Sequence, residues 1–183
     1  KPRLLVTGGS QGASSFNRML PLALAKIAPD LRPTVLHQAG RGHAGETRAS
    51  YMEAGVEADV VDFIDDMASE YGRADLALCR AGALTVSELA VVGLGSVLLP
   101  FPHAVDDHQT RNAKVLQRVG AARVLKEDDL DEIVLSDELE TLLCDRQRLL
   151  QMAEAAHQLG TREAAHKLAD ACVELVGSRE RQR

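Results

Sequence analysis

Short apolar runs alternate with helical patterns along this 183-residue chain, and this alternation constrains its fold more than any other feature. The first run is 3–7, and strand-sized runs are also predicted at 34–37, 58–61, 76–79, 96–100 and 122–125. Apolar residues at helical spacing fill the intervals, as in 14–28, where Pro21 is expected to kink or split the helix. Strands separated by helices imply βαβ units, so we predict an α/β fold with a parallel sheet flanked by helices.

Composition excludes several classes of function. There are 27 acidic and 21 basic residues, giving a net charge of −6, so bulk charge does not favour coating of nucleic acid or an anionic membrane. Aromatic residues make up 3% of the chain and Trp is absent, which argues against stacking platforms for single-stranded nucleic acid. We therefore expect a small-molecule partner and no nucleic acid.

The cysteines indicate the setting in which the chain works. Cys79, Cys144 and Cys172 lie far apart and form no CxxC pair, which argues against a structural zinc site or a disulfide framework. We expect a reducing, cytoplasmic setting, and no apolar run is long enough to span a bilayer. The chain starts at Lys1 and reads at once as a strand, so we expect a piece of a longer protein, with one domain over 1–176 and a polar tail at 177–183.

A glycine-rich loop follows the first strand and contains Ser10, Gln11 and Gly12. Ligands of open parallel sheets bind beyond the carboxyl ends of the strands, and glycines before a helix N-terminus suit a diphosphate. A tight turn without a ligand remains the alternative. The loop is not a Walker A motif, because no Lys-Ser/Thr pair follows its last glycine.

The same loop partly resembles the T-G-x-x-x-G-x-G turn of short-chain dehydrogenases through Thr7, Gly8 and Gly12. The second strand, however, ends at Gln38 without the acidic residue that would bind a ribose of a dinucleotide. The chain also has no Tyr-x-x-x-Lys sequence. A nicotinamide-dependent oxidoreductase is therefore a weaker alternative.

A second candidate site follows the fourth strand. Gly82 permits a turn, and we predict that the helix starts near Thr85, so that backbone N–H groups of residues 83–85 face the crevice. Glu88 lies one turn further on, where its carboxylate could accept two hydrogen bonds from a ribose diol. Its alternative role is to complement the helix dipole.

Polar residues are densest after the fifth strand. His103, Asp106, Asp107 and His108 match no metal-binding spacing, so a sugar-binding loop is favoured, with Gln109 able both to donate and to accept hydrogen bonds. The alternative is a helix cap made by one of the two aspartates.

Two further stretches carry weaker predictions. Segment 63–67, Phe-Ile-Asp-Asp-Met, is either a helix start capped by Asp65 or an apolar shelf for a base, read by the backbone of Ile64. The acidic stretch 127–132 is interpreted as a solvated loop and helix start, and its Asp129-Leu130-Asp131 as surface charge rather than a metal site.

Taken in order, the motifs at 8–13, 63–67, 82–88 and 100–112 resemble the C-terminal, donor-binding half of the MurG family of peptidoglycan N-acetylglucosaminyltransferases, which have a GT-B fold. The resemblance implies a Rossmann-like domain that binds UDP-GlcNAc. Ser10 would hold the diphosphate, Ile64 the uracil, Glu88 the ribose, and the 108–109 pair the GlcNAc hydroxyls. The implied donor-binding residues are Ser10, Gln11, Gly12, Ile64, Arg80, Ala83, Leu84, Thr85, Glu88, His108 and Gln109.

The resemblance also implies a reaction. It is the inverting transfer of GlcNAc from UDP-GlcNAc to the muramoyl 4-hydroxyl of lipid I, which gives lipid II, with no cofactor and no obligatory metal. The acceptor site, the general base and the membrane contact would belong to an N-terminal half, so this chain is expected to bind donor without catalysing transfer. The full-length protein would sit on the cytoplasmic face of the inner membrane. A UDP-GlcNAc 2-epimerase and a non-catalytic nucleotide-sugar sensor remain alternatives.

Overall fold

The computed structural model describes residues 1–9, 13–101, 107–161, 163, 169–170 and 172–173. Six strands are present in this part of the chain: β1 (Arg3–Thr7), β2 (Thr34–Gln38), β3 (Asp59–Val61), β4 (Leu76–Cys79), β5 (Ser96–Leu98) and β6 (Ala122–Val124). The α-helices are α1 (Ser14–Lys26), α2 (Ala44–Glu53), α3 (Met67–Arg73), α4 (Ala83–Val92), α5 (His108–Arg118), α6 (Glu132–Leu143) and α7 (Arg146–Leu159). One turn of 3₁₀-helix, Glu127–Asp129, follows β6.

The six strands form a single parallel sheet in the order β3-β2-β1-β4-β5-β6. This confirms the predicted Rossmann-like sheet flanked by helices. Thr7 at the end of β1 pairs with Gln38 of β2 on one side and with Cys79 of β4 on the other. Strands β2 and β3 lie on one side of β1, and strands β4, β5 and β6 lie on its other side. The strand order therefore reverses between β1 and β4, and a ligand crevice is expected beyond the carboxyl ends of these two strands.

Alternate strand residues face the two sides of the sheet and pack into two apolar clusters. Leu4 and Val6 of β1 join a cluster with α1, α2, α6 and part of α7, whereas Leu5 joins the other with α3, α4 and α5. The central strands β1, β4 and β5 are short and almost wholly buried, as expected for a sheet covered on both faces.

Two local predictions are wrong in detail, and a third is wrong in one of its two forms. Helix α1 is not split, because it runs unbroken from Ser14 to Lys26 with Pro21 buried inside it, whereas a kink at Pro21 stays a prediction. Helix α4 begins at Ala83, two residues before the predicted start. Helix α3 is capped by Asp66 rather than Asp65, and the Asp66 carboxylate accepts a hydrogen bond from the Ser69 backbone N–H at 3.0 Å.

The predicted tail 177–183 lies outside the described residues, so the division at 176 stays a prediction. Among the described helices, none combines the length and apolar character needed to cross a bilayer.

Helices α4 and α7 approach so closely at Gly160 that a methyl group there has no room. A Cβ atom at Gly160 would lie 2.6 Å from the Ala90 carbonyl oxygen and 2.9 Å from the Val91 Cα. Because both are backbone atoms that cannot swing aside, we expect Gly160→Ala to lower the free energy of unfolding by at least about 1 kcal/mol. Denaturant titration followed by circular dichroism measures this.

Gly45→Ala is the matched control. Gly45 lies in the first turn of α2, is not among the glycines with positive φ, and has open space where an added Cβ would lie, with no atom within 4 Å. Alanine there should leave the free energy of unfolding unchanged or raise it by up to about 1 kcal/mol. Equal effects of the two substitutions would contradict the close approach of α4 and α7.

Candidate functional site

A cleft of about 680 Å³ opens at the carboxyl edge of the sheet, beyond the ends of the neighbouring strands β1 and β4. The ends of β1 and β2, the loop after β3, and the starts of α4 and α5 border it. Five of the residues predicted from sequence line this cleft: Ile64, Arg80, Thr85, Glu88 and Gln109. The topology therefore brings together residues that are up to 45 positions apart in the chain.

A slightly larger cleft of about 730 Å³ lies at the opposite, amino edge of the sheet, next to Pro33 and Thr34. The residues of α1 that approach this edge belong to its C-terminal end, where the carbonyl groups of Ala25 and Ile27 accept hydrogen bonds from the Arg32 guanidinium. The C-terminal end of a helix carries partial negative charge on its free carbonyl groups and therefore disfavours anions. In addition, none of the predicted site residues borders this cleft. We therefore place the functional site at the carboxyl edge.

Glu88 lies in α4 with its carboxylate oriented by a tyrosine. The Tyr71 hydroxyl, in α3, donates a hydrogen bond to Glu88 Oε2 at 3.1 Å. Burial raises the pKa of Tyr71 well above its usual value, with further contributions from Cys79 and the Glu88 carboxylate, so the phenol stays a neutral donor. The remaining lone pairs of the exposed carboxylate face the cleft, where a diol could bind.

Tyr71 was not among the residues predicted from the sequence, where a tyrosine was considered only as part of a Tyr-x-x-x-Lys motif. The sequence does place Tyr71 in a short helix four residues after the predicted base-binding segment 63–67. The structure shows that this helix brings its hydroxyl to Glu88 in α4.

The start of α4 supplies main-chain donors. Gly82 is its N-cap residue, and the first helical N–H groups, which include those of Ala83, Leu84 and Thr85, have no partner within the helix. Thr85 lines the cleft, whereas Ala83 and Leu84 do not, and the Leu84 side chain is 79% exposed. Any role of Ala83 and Leu84 must therefore use their backbone, as expected from the sequence.

The glycine loop after β1 is held from the neighbouring strand. Gly9 adopts a φ of 82°, and its carbonyl oxygen accepts a hydrogen bond from Gln38 Nε2 at 2.9 Å. The sequence analysis considered Gln38 only because it stands where a dinucleotide-binding strand ends in an acidic residue. In the structure Gln38 is buried and lines the cleft. Three predicted residues of this loop, Ser10, Gln11 and Gly12, lie outside the described residues.

Ile64 lies buried in the loop between β3 and α3 and borders the cleft together with the exposed ring of Phe63. The start of this loop is tied to the segment that leads from β2 into α2, because the Asp62 carboxylate accepts hydrogen bonds from the backbone N–H groups of Gly42 and Ala44 at 3.0 Å each. A held loop with an apolar surface suits a planar base.

Gln109 organises the backbone at the ends of β4 and β5. Its Oε1 accepts hydrogen bonds from the Phe101 N–H at 2.9 Å and the Ala81 N–H at 3.3 Å. Asn112, one turn later in α5, donates to the Ala81 carbonyl oxygen at 3.1 Å. Within the described residues, only the Gln109 amide N–H₂ group remains available to a ligand.

His108 is the first residue of α5, is exposed, and does not border the cleft in this structure. The preceding Asp107 has a positive φ of 51°, and its side chain makes no cap hydrogen bond. His103 and Asp106 lie outside the described residues. The role of His108 toward a sugar stays a prediction.

Arg80 lines the cleft, but its guanidinium is engaged by protein groups. Nη2 donates to the Ser15 hydroxyl at 3.1 Å, and Nη1 donates to the Leu99 carbonyl oxygen at 3.1 Å. Nη1 also forms an ion pair with Glu127. The interpretation of 127–132 as merely solvated is therefore wrong at its first residue, because β6 ends beside β5 and delivers Glu127 to the same sheet edge.

The other acidic residues nearby have structural roles. The Asp131 carboxylate caps α6 by accepting from the backbone N–H groups of Ile133 at 2.9 Å and Val134 at 2.8 Å. Across the described residues, no group of three or more His, Cys, Asp or Glu side chains could hold a metal ion. Burial raises the pKa of the Cys79 thiol to about 12, with a further contribution from Glu88, so this thiol next to the cleft stays protonated.

Comparison with known families decides the membership of the chain. A family model described as the glycosyltransferase family 28 C-terminal domain matches residues 3–168. The chain belongs to this family. The family 28 domain therefore extends over nearly all of the chain, from β1 to beyond α7.

The family 28 domain is similar to curated proteins named UDP-N-acetylglucosamine–N-acetylmuramyl-(pentapeptide) pyrophosphoryl-undecaprenol N-acetylglucosamine transferase. The protein of Acidithiobacillus ferrooxidans is 51% identical over 175 residues, which cover 96% of this chain and 49% of that protein. The protein of Pseudomonas fluorescens is 52% identical over 175 residues with the same coverage. The chain thus spans about half the length of the curated relatives it matches.

Solved structures agree. The crystal structure of Acinetobacter baumannii MurG matches with a TM-score of 0.87 and 40% identity, covering 93% of this chain and 52% of that one. The calicheamicin glycosyltransferase CalG4 matches with a TM-score of 0.67 at 22% identity, covering 96% and 44%, and this second likeness concerns the fold alone. The predicted resemblance to the MurG family and to half of a GT-B enzyme is confirmed.

Proposed function

We propose that this family 28 domain binds UDP-GlcNAc as the donor-binding half of an inverting N-acetylglucosaminyltransferase. The transferase would move GlcNAc to the muramoyl 4-hydroxyl of lipid I and so produce lipid II for peptidoglycan. The single observation that carries the proposal is the cleft at the carboxyl edge, which is lined together by Glu88, oriented by Tyr71, by the start of α4 and by Ile64. The choice of UDP-GlcNAc as the ligand follows from the names of the relatives.

Each part of a nucleotide sugar has a chemically suitable partner in the cleft. Uracil would lie against Ile64, with the backbone reading its edge, and the ribose hydroxyls would donate to Glu88. The diphosphate would lie between the glycine loop with Ser10, Gln11 and Gly12 and the helix N-termini, which favour negative charge. The Gln109 amide N–H₂, with His108 beside it, would donate to the sugar.

The chemistry proposed for this half is stabilisation of the leaving group. When the anomeric bond breaks, negative charge grows on the UDP diphosphate, and fixed N–H dipoles aimed at that position lower the barrier without reorganising. We assign no catalytic base to this chain. The acceptor site, the general base and a membrane contact on the cytoplasmic side would belong to the half of the relatives' length that this chain does not cover.

Calorimetric titration of this chain with UDP-GlcNAc, UDP, UDP-glucose and NAD, without added metal, tests donor binding. We expect UDP-GlcNAc and UDP to bind and NAD not to bind. Binding of NAD alone would contradict the proposal in favour of a dehydrogenase. Absence of UDP binding both to this chain and to its full-length parent would contradict donor binding altogether.

The parent protein separates the remaining alternatives. With UDP-GlcNAc and lipid I, a transferase releases UDP and forms a disaccharide lipid, whereas a 2-epimerase changes the sugar without needing an acceptor. A nucleotide-sugar sensor would bind the donor and consume nothing.

A further inference from the structure

The Arg80 side chain joins four segments at the carboxyl edge of the sheet. Its hydrogen bonds connect the first turn of α1, through Ser15, to the end of β5, through Leu99. Its guanidinium carbon also lies 4.9 Å from the ring centroid of Phe16 and 5.4 Å from that of Phe101. Ser14, next to Ser15 in α1, and Phe101, two residues after Leu99, both border the cleft, so Arg80 links two of its sides.

A guanidinium this enclosed needs a counter-charge. The Arg80 side chain is only 13% exposed, and the carboxylate paired with it is that of Glu127, itself 21% exposed. Removing one member of such a pair leaves an uncompensated charge that is drawn toward water. Without Glu127, the guanidinium would leave Ser15 and Leu99 to become hydrated.

We propose that Glu127 is a positioning residue of the donor site, which acts by holding Arg80 in place. The inference rests on the proposed function of the cleft. Glu127 lies in the 3₁₀ turn after β6, outside the glycine, α4 and polar-loop motifs, and it does not itself border the cleft. Its effect on the ligand therefore passes through Arg80 to the first turn of α1 and to the residues after β5 that Arg80 contacts.

Direct binding of the ligand by Arg80 would change the UDP affinity in the opposite direction. If Arg80 bound the diphosphate directly, Glu127 would compete with the ligand for the guanidinium, and its removal would strengthen UDP binding. If Glu127 positions Arg80, its removal weakens UDP binding. The direction of the change separates the two roles.

The test is calorimetric titration of UDP into the unaltered chain and into Glu127→Gln, both well below their unfolding temperatures. We expect the dissociation constant for UDP to rise about 3- to 30-fold in the variant. Glu138→Gln is the matched control, because Glu138 forms an ion pair with Arg123 of β6, whose side chain is 51% exposed and so can be hydrated when the pair is lost. Arg123 Nε donates to Glu138 Oε1 at 2.6 Å. The control should bind UDP as the unaltered chain does.

A double variant separates positioning from general stability. Arg80→Met/Glu127→Gln contains no unpaired buried charge, so it should regain most of the thermal stability lost in Glu127→Gln. Its UDP affinity should stay low, because the link between α1 and β5 is still missing. Return of affinity together with stability would overturn the inference.

Two failures remain distinguishable. An unaltered chain that binds UDP, together with equal or tighter binding by Glu127→Gln, overturns the role of Glu127 alone. Absence of UDP binding to both the unaltered chain and its full-length parent overturns the proposed function on which that role depends; if only the parent binds UDP, the same variants are compared in the parent.

Discussion

Replacing Glu88 with alanine should weaken UDP binding about 5- to 150-fold, the effect of losing a charged acceptor of one or two hydrogen bonds. The Glu88 carboxylate borders the cleft and is held there by the Tyr71 hydroxyl, so little conformational freedom is lost when a diol binds. Titration calorimetry with UDP measures the change. Glu53→Ala, at the end of α2 and away from the cleft, is the control that should leave UDP binding unaltered.

A deoxygenated ligand shows whether Glu88 contacts the ribose. With 2′-deoxy-UDP one of the two hydroxyls is missing, so Glu88→Ala should cost clearly less affinity than it does with UDP. Equal losses with both ligands would contradict contact with the 2′-hydroxyl. Tyr71→Phe should weaken UDP binding less than Glu88→Ala, because it removes only the hydrogen bond that orients the carboxylate.

Acidification should destabilise the domain through His37, by up to about 3 kcal/mol between pH 6.5 and pH 4. His37 is 1% exposed in β2, and burial lowers its pKa from 6.5 to about 4. Its Nδ1 lies 2.9 Å from the Tyr51 hydroxyl, and its Nε2 has no hydrogen-bond partner among the described residues. Protonation would place a charge among apolar side chains without an acceptor for the second N–H.

The direction of this pH effect on stability follows from the number of protons that the folded and unfolded states bind. Because the pKa is lower in the folded state, the unfolded chain binds more protons between pH 6.5 and 4, and the free energy of unfolding falls as the pH falls through that window. Above pH 6.5 the contribution is fully present, and below about pH 4 this group causes no further loss.

Denaturant titrations at several pH values compare the unaltered chain with His37→Gln. The difference between their unfolding free energies should shrink by about 3 kcal/mol from pH 7 to pH 4, because the variant lacks the titrating group. Tyr51→Phe keeps the buried imidazole and should keep the pH dependence of the unaltered chain. Parallel curves for the unaltered chain and His37→Gln would contradict burial of a neutral imidazole.

Local pattern was enough to predict the parallel sheet and to single out several residues that line the cleft, among them Thr85, Glu88 and Gln109. A buried parallel strand needs a continuous short apolar run, and a crossover helix needs apolar residues at a period of 3.6, so both are written in neighbouring residues. Positions 82–88 were interpretable for the same reason, because a glycine turn and a carboxylate one helical turn later are defined by spacing alone.

Contacts between side chains that are far apart in the chain could not be predicted from residue spacing. Gln38 contacts Gly9, Tyr71 contacts Glu88, and Glu127 contacts Arg80 over separations of 29, 17 and 47 residues. Such pairs meet only because parallel strands place their carboxyl ends along one edge, in an order that depends on how the crossovers wind. An acidic residue after the last strand therefore looked like surface charge.

The sequence by itself determined that this chain is a parallel α/β domain, because apolar periodicity and glycine turns are properties of the chain in one dimension, and the order of its motifs indicated the MurG family. Only the tertiary structure decided that Arg80 is enclosed by Ser15, Leu99 and Glu127, and that the oxygen of Gln109 holds backbone rather than ligand. The physical reason is that a polar group's role depends on which partners reach it within about 3 Å, and that distance is set by packing between elements.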